Sequence, residues 1–153
     1  METFMILTQT NKVDRATVEI VQEYLEKWQG KMEVRGITIG EKKFLLVWMD
    51  KSVEDEVNTL WETSPSRAFT VNGLAQALCM ALIRDLIPEI AIKGCAPVPT
   101  PFKALKDALK SLDLTWEKDS TLSRQFAMLT PYPFQGGCSI CHINGDCPNA
   151  TAD

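Results

Sequence analysis

From Ala16 to Trp28 the apolar residues Ala16, Ile20, Val21, Tyr24, Leu25 and Trp28 recur at helical spacing. The pattern predicts an amphipathic helix beginning near Arg15, with Asn11 to Asp14 as turn and cap and Gly30 as its stop. Ahead of it, Phe4 to Thr8 is short and apolar enough for a strand. Met32 to Ile39 and Lys43 to Met49 are rich in β-branched and aromatic residues and flank Gly40-Glu41, so an antiparallel hairpin is expected. Asp50 to Ser52 suits the cap of a short helix through Trp61, which Ser64-Pro65-Ser66 interrupts.

Thr70 opens the longest apolar stretch. Leu74, Leu78, Leu82 and Leu86 recur every four residues, and Ala75, Ala77, Cys79, Ala81 and Ile83 fill most of the remaining circumference, which predicts a central buried helix ended by Pro88. Ile90 to Ile92 is expected as a strand, and Gly94 to Pro101 as a loop stiffened by Pro97, Pro99 and Pro101. Thr100 suits an N-cap and Pro101 a first helical residue. The helix that follows has Phe102, Leu105, Leu109 and Leu112 on one face and Lys103, Lys106, Asp107 and Lys110 on the other. Leu114 to Glu117 and Gln125 to Thr130 are candidate strands, and the chain from Pro131 onward is expected to be loop. The order of elements implies an α+β sandwich, with helices on one face of a mainly antiparallel sheet. Residues 1–130 form the expected core domain, and residues 131–153 a Cys-rich loop folded onto it as part of the same domain.

Composition narrows the function. The chain has 153 residues, 45% of them hydrophobic, enough for one substantial core. Its net charge is −4 and its sequence pI about 5.1, so general attraction to phosphate backbones is not expected. No stretch approaches the length of a membrane span and the first residues lack a basic leader, so the expectation is a cytoplasmic protein. In a reducing compartment, closely spaced cysteines more often bind metals or do redox work than form structural disulfides.

Four of the five cysteines suit such a role. Cys138, Cys141 and Cys147 stand in the run Gly136-Gly137-Cys138-Ser139-Ile140-Cys141-His142-Ile143-Asn144-Gly145-Asp146-Cys147-Pro148, and Cys95 lies in the proline-stiffened loop. A two-residue gap lets the backbone wrap round a metal and aim N–H groups at the sulfurs, and a third thiol five residues on completes most of a cage. One [4Fe-4S] cluster bound by Cys95, Cys138, Cys141 and Cys147 is the leading expectation, helped by the glycine pair before Cys138 and by the Cys147-Pro148 dipeptide. Structural Zn2+ is the alternative, with Cys95 or His142 as fourth ligand; otherwise His142 is a hydrogen-bond donor to a sulfur.

The C-x2-C-x5-C run also resembles the last three ligands of the iron-sulfur loop in the endonuclease III family of DNA glycosylases. The first ligand of that motif falls here at Pro131, and glycosylase activity is not carried over.

Cys138-Ser139-Ile140-Cys141-His142 also satisfies the C-x-x-C-H pattern of covalent haem, against which the extra Cys147 and the missing export signal argue. Thiol redox chemistry at the same pair would want a helix N-terminus, whereas Asn144-Gly145 is a turn signal. The plainest alternative is that these are unligated tail thiols. Cys79, on an apolar helix, is expected to be a small core residue.

Other chemistry is poorly supported. His142 is the single histidine, so any hydrolytic triad would have to use it. Glu54, Asp55 and Glu56 are expected as a solvated first helical turn, and the four tryptophans as core or interface anchors. Gly36, Gly40 and Gly73 build no phosphate-binding loop. Lys103, Lys106 and Lys110 form a basic stripe beside the Cys95 loop where an acidic redox partner could dock, and Tyr132-Pro133-Phe134 would shield a metal loop or serve as a docking patch. The whole predicts a small protein of electron transfer, or an accessory subunit of a larger redox enzyme. Its partner would be another protein, with nucleic acid and membrane excluded and homo-oligomerisation and catalysis left open. A zinc-stapled interaction module is the competing class.

Overall fold

In the computed structural model, residues 13–93, 95–118 and 121–148 are described. The candidate strand at Phe4 to Thr8 lies outside them. The elements run α1 (Arg15–Lys27), β1 (Met32–Ile39), β2 (Lys42–Met49), α2 (Lys51–Thr63), α3 (Pro65–Leu86), α4 (Pro88–Lys93), α5 (Lys103–Lys110) and β3 (Ala127–Pro131), followed by single 3-10 turns at Cys138–Ile140 and Asn144–Asp146. Helices and one antiparallel sheet make this an α+β fold.

Local chemistry accounts for most boundaries. The Asp14 carboxylate accepts the Thr17 N–H at 2.7 Å and caps α1, and this bond holds its pKa below the usual carboxylate value. Gly30, at φ +72°, turns the chain out of α1. Asp50 accepts the Ser52 N–H at 2.9 Å to start α2, and Pro65 occupies the first turn of α3, where its missing N–H costs nothing. That places the start of α3 five residues before Thr70, since Pro65 opens this helix as well as ending α2.

The sheet has the order β1-β2-β3, both pairs antiparallel, with Met32 opposite Met49 and Leu46 opposite Leu129. Gly40, at φ +60°, holds the first position of the two-residue β1–β2 turn, where a II′ hairpin needs a positive φ. The central strand β2 is apolar without a break from Phe44 to Met49 because both of its faces are covered. Leu45, Val47 and Met49 join a core with α1, α2, α3 and α4, including Val21, Val57, Leu74 and Ile83. Phe44 and Leu46 join a second core with Leu105 and Leu109 of α5. Helices therefore pack on both faces of the sheet, where the pattern alone suggested one.

Several other expectations are corrected. Ile90 to Ile92 lie in α4, because Pro88 is well placed to begin a new helical turn; Ile90 is buried while Ile92 is exposed. Phe102, and not Thr100, precedes the first residue of α5. Leu114 to Glu117 is no sheet strand: Trp116 makes one isolated bridge to Leu122. The α3 helix is central but not enclosed all round, since Leu86 and Phe69 are exposed. Glu54 is buried, accepting the Gln125 N–H at 2.9 Å, and Glu56 accepts the Trp28 indole N–H at 3.1 Å, so of the acidic trio only Asp55 is exposed, where it pairs with Lys51. Among the described residues no helix is long and apolar enough to cross a membrane.

Leu46 is fully buried at the crossing of β2 with α5. Leu46→Ala is expected to cost about 2–5 kcal/mol in urea unfolding, whereas Val34→Thr on the exposed edge of β1 should change stability by less than about 0.5 kcal/mol.

Candidate metal centre

Two segments meet beyond the end of β3. The first is the irregular stretch after α4 that carries Cys95, Ala96, Pro97, Val98 and Pro99, with Pro97 and Pro99 buried. The second follows β3: Phe134 packs against the larger core, and Gly136, at φ +138°, takes a conformation open in practice to glycine before Cys138 begins its turn.

Within the second segment the backbone folds as two consecutive short turns, each with a cysteine after it. The Cys141 N–H donates to the Cys138 carbonyl at 3.1 Å, and the Cys147 N–H to the Asn144 carbonyl at 3.4 Å. Cys138, Cys141 and Cys147 thus follow one another along one loop, and each is partly buried.

The first segment is bonded to the second and to the sheet. The Thr130 hydroxyl, wholly buried on β3, donates to the Pro97 carbonyl at 3.0 Å. The Val98 N–H donates to Cys141 Sγ at 3.3 Å, and the Val98 carbonyl accepts the His142 N–H at 2.8 Å. Pro97 and Pro99 have no N–H, so between Ala96 and Thr100 the one backbone donor is Val98, and it is directed at a cysteine sulfur.

Cys95 is exposed as a residue, but its thiol pKa is raised, first by burial of the sulfur and then by the charges of Cys141, Cys147 and Cys138. Those three cysteines are the other predicted ligands, and the contact between the two segments is the one made by Val98 with Cys141 and His142. Burial and neighbouring negative charge both disfavour the Cys95 thiolate, and a bound cation would offset them. Among the described residues no group of three or more His, Cys, Asp or Glu side chains is placed to hold a metal ion. His142 is exposed and tied to Val98 through its main chain.

Cys79 stands apart. It is 1% exposed on α3, points its thiol at the Phe126 carbonyl 3.7 Å away, and has its pKa pushed up by burial to about 12. Among the described residues no cysteine forms a disulfide.

A feature the residue pattern did not reveal adjoins the two segments. A largely apolar cleft of about 480 Å3 is lined by Val98, Ile143, Trp116, Met128, Leu129 and Arg124, among others. Arg124 is balanced by Glu54 at 4.0 Å and Asp113 at 3.7 Å. Its members come from four separate stretches of chain, so no local spacing announces it.

Comparison of the chain with protein-family models, with curated proteins and with solved structures gives no match.

In metal-free, reduced protein at about pH 8, iodoacetamide should label Cys95, Cys138, Cys141 and Cys147 in the folded state and Cys79 only after denaturation. Peptide mass spectrometry reads the outcome; rapid native labelling of Cys79 would contradict its buried position.

Proposed function

We propose that the protein binds one [4Fe-4S] cluster through Cys95, Cys138, Cys141 and Cys147, and that it works in electron transfer or as an accessory subunit of a larger redox enzyme. The observation that carries this reading is the hydrogen bond from the Val98 N–H to Cys141 Sγ, which joins the Cys95 loop to the C-terminal cysteines across 43 residues. Backbone N–H groups aimed at ligand sulfurs stabilise the thiolate form and adjust a cluster's potential. When bound, the cluster supplies one-electron redox chemistry. The chain's own part is to hold four thiolates, shield them on one side with Val98 and Pro97, and leave Cys95 near the surface.

The Gly136-Gly137 pair and the Cys147-Pro148 dipeptide support a cluster over a single ion. Tetrahedral zinc, with bonds of about 2.3 Å, draws its sulfurs to within about 4 Å of one another. Each thiolate of a cluster binds a different iron, so the sulfurs stand wider apart. Zinc held by the same four cysteines, fixing the tail to the core of an interaction module, is the second reading; the exposed His142 is a weaker fourth ligand than Cys95.

Anaerobic purification distinguishes the two. The expected product is coloured, contains iron and acid-labile sulfide in equal amounts, and bleaches with dithionite. A colourless protein with one equivalent of zinc would end the electron-transfer reading. Cys141→Ser should lose the cofactor and Cys79→Ala should retain it; equal metal content in both variants would contradict the assignment.

A further inference from the structure

We infer that a lysine-rich face centred on Phe102, beside the cysteine loop, docks an acidic surface of a partner protein. The inference rests on the electron-transfer reading above and says where the partner sits. Phe102 precedes α5 and packs near Phe44 of β2, with ring centroids 6.1 Å apart. Lys42, at the start of β2, places its Nζ 5.0 Å from the centre of the Phe102 ring.

Two shallow clefts share Phe102 as a wall. One, of about 240 Å3, is lined by Lys42, Lys43, Pro99 and Ile140 among others, and the second, of about 550 Å3, by Pro101, Lys103, Lys106 and Lys110 among others. The basic stripe of α5 and the lysines of the β1–β2 turn are thus parts of one surface.

The charge of that surface opposes that of the chain. Five lysines against the two carboxylates Glu41 and Asp107 give it +3, which leaves −7 on the rest of a chain whose total is −4. Asp107 is engaged by Lys103 at 2.6 Å, while Lys106 and Lys110 are exposed. Such an asymmetry orients an approaching acidic protein toward one side of the molecule.

The middle of the face is apolar, built from the half-buried Phe102 and Pro101 and the 37% exposed Ile140. An apolar centre with a charged rim is the make-up of a protein-protein interface. It also favours a compact protein patch over a nucleic acid, since a long polyanion running past the lysines would meet the acidic remainder. Ile140 stands between Cys138 and Cys141, so a partner seated here lies against the loop of the proposed metal centre.

The test titrates the full-length protein into a fluorescein-labelled oligoglutamate peptide and reads anisotropy at about 10 mM and about 150 mM salt. Saturable binding at low salt that is lost at high salt is expected, as is weakening by about tenfold in K106E/K110E and an intermediate loss in K106Q/K110Q. K51E, on α2, should bind as the unaltered protein does. Matching melting temperatures show that the variants are folded. Absence of peptide binding, equal weakening in K51E and K106E/K110E, or tighter binding of a duplex oligonucleotide than of the peptide overturns the proposal. Iron is assayed in the same samples, so an iron-free protein that still binds the peptide counts against the cluster and not against the face.

Discussion

Pro97 and Val98 are held from two sides, and the relation between the two cysteine-bearing segments depends on it. From the sheet, the buried Thr130 hydroxyl takes the Pro97 carbonyl; from the C-terminal loop, Cys141 Sγ and the His142 N–H take both backbone polar groups of Val98. Burying such groups without partners would cost about 1–3 kcal/mol each. Prolines on either side restrict the backbone of Val98 and leave it as the only donor there. A short stretch of chain with little freedom thereby joins the segment that carries Cys95 to the loop that carries Cys141, more than forty residues away.

The fold delivers both segments to that meeting point. β2 is the middle strand, with one face on the large helical core and the other on α5, and its last partner β3 ends at Pro131, a few residues before the glycine pair that enters the cysteine run. The Cys95 segment links α4 on one side of the sheet to α5 on the other, and it crosses at β3 through Thr130. The lysine face and the thiol loop adjoin for the same reason: Phe102 and Ile140 border the same cleft.

Local signals were legible where one interaction dominated. The hairpin followed from β-branched runs about a glycine turn, and α1 from its stripe and the Asp14 cap, although Ala16 and Leu25 of that stripe proved exposed. Ile90 to Ile92 misled because three apolar residues fit either period, and Pro88 at the start of a helical turn decided the matter. The two-sided burial of β2 was available in its unbroken apolar run, which a sheet with one covered face would not need. Glu54 resembled a solvated first-turn acid because its partners, Gln125 and Arg124, are some seventy residues distant. In the candidate site, the placing of Cys138, Cys141 and Cys147 along one loop is local and was readable. The approach of the Cys95 segment to that loop, through Val98 and Cys141, is a tertiary feature, and neither the Thr130 anchor nor the cleft beside it has a spacing that would reveal it.

Bridging of thiols in the metal-free, reduced protein by dibromobimane tests that approach most directly, because the reagent becomes strongly fluorescent only when it joins two nearby sulfurs. The expected product is a cross-linked pair of peptides, one containing Cys95 and the other Cys138, Cys141 or Cys147, with Cys79 unmodified. Cys95 labelled only singly, while the C-terminal cysteines bridge among themselves, would contradict it.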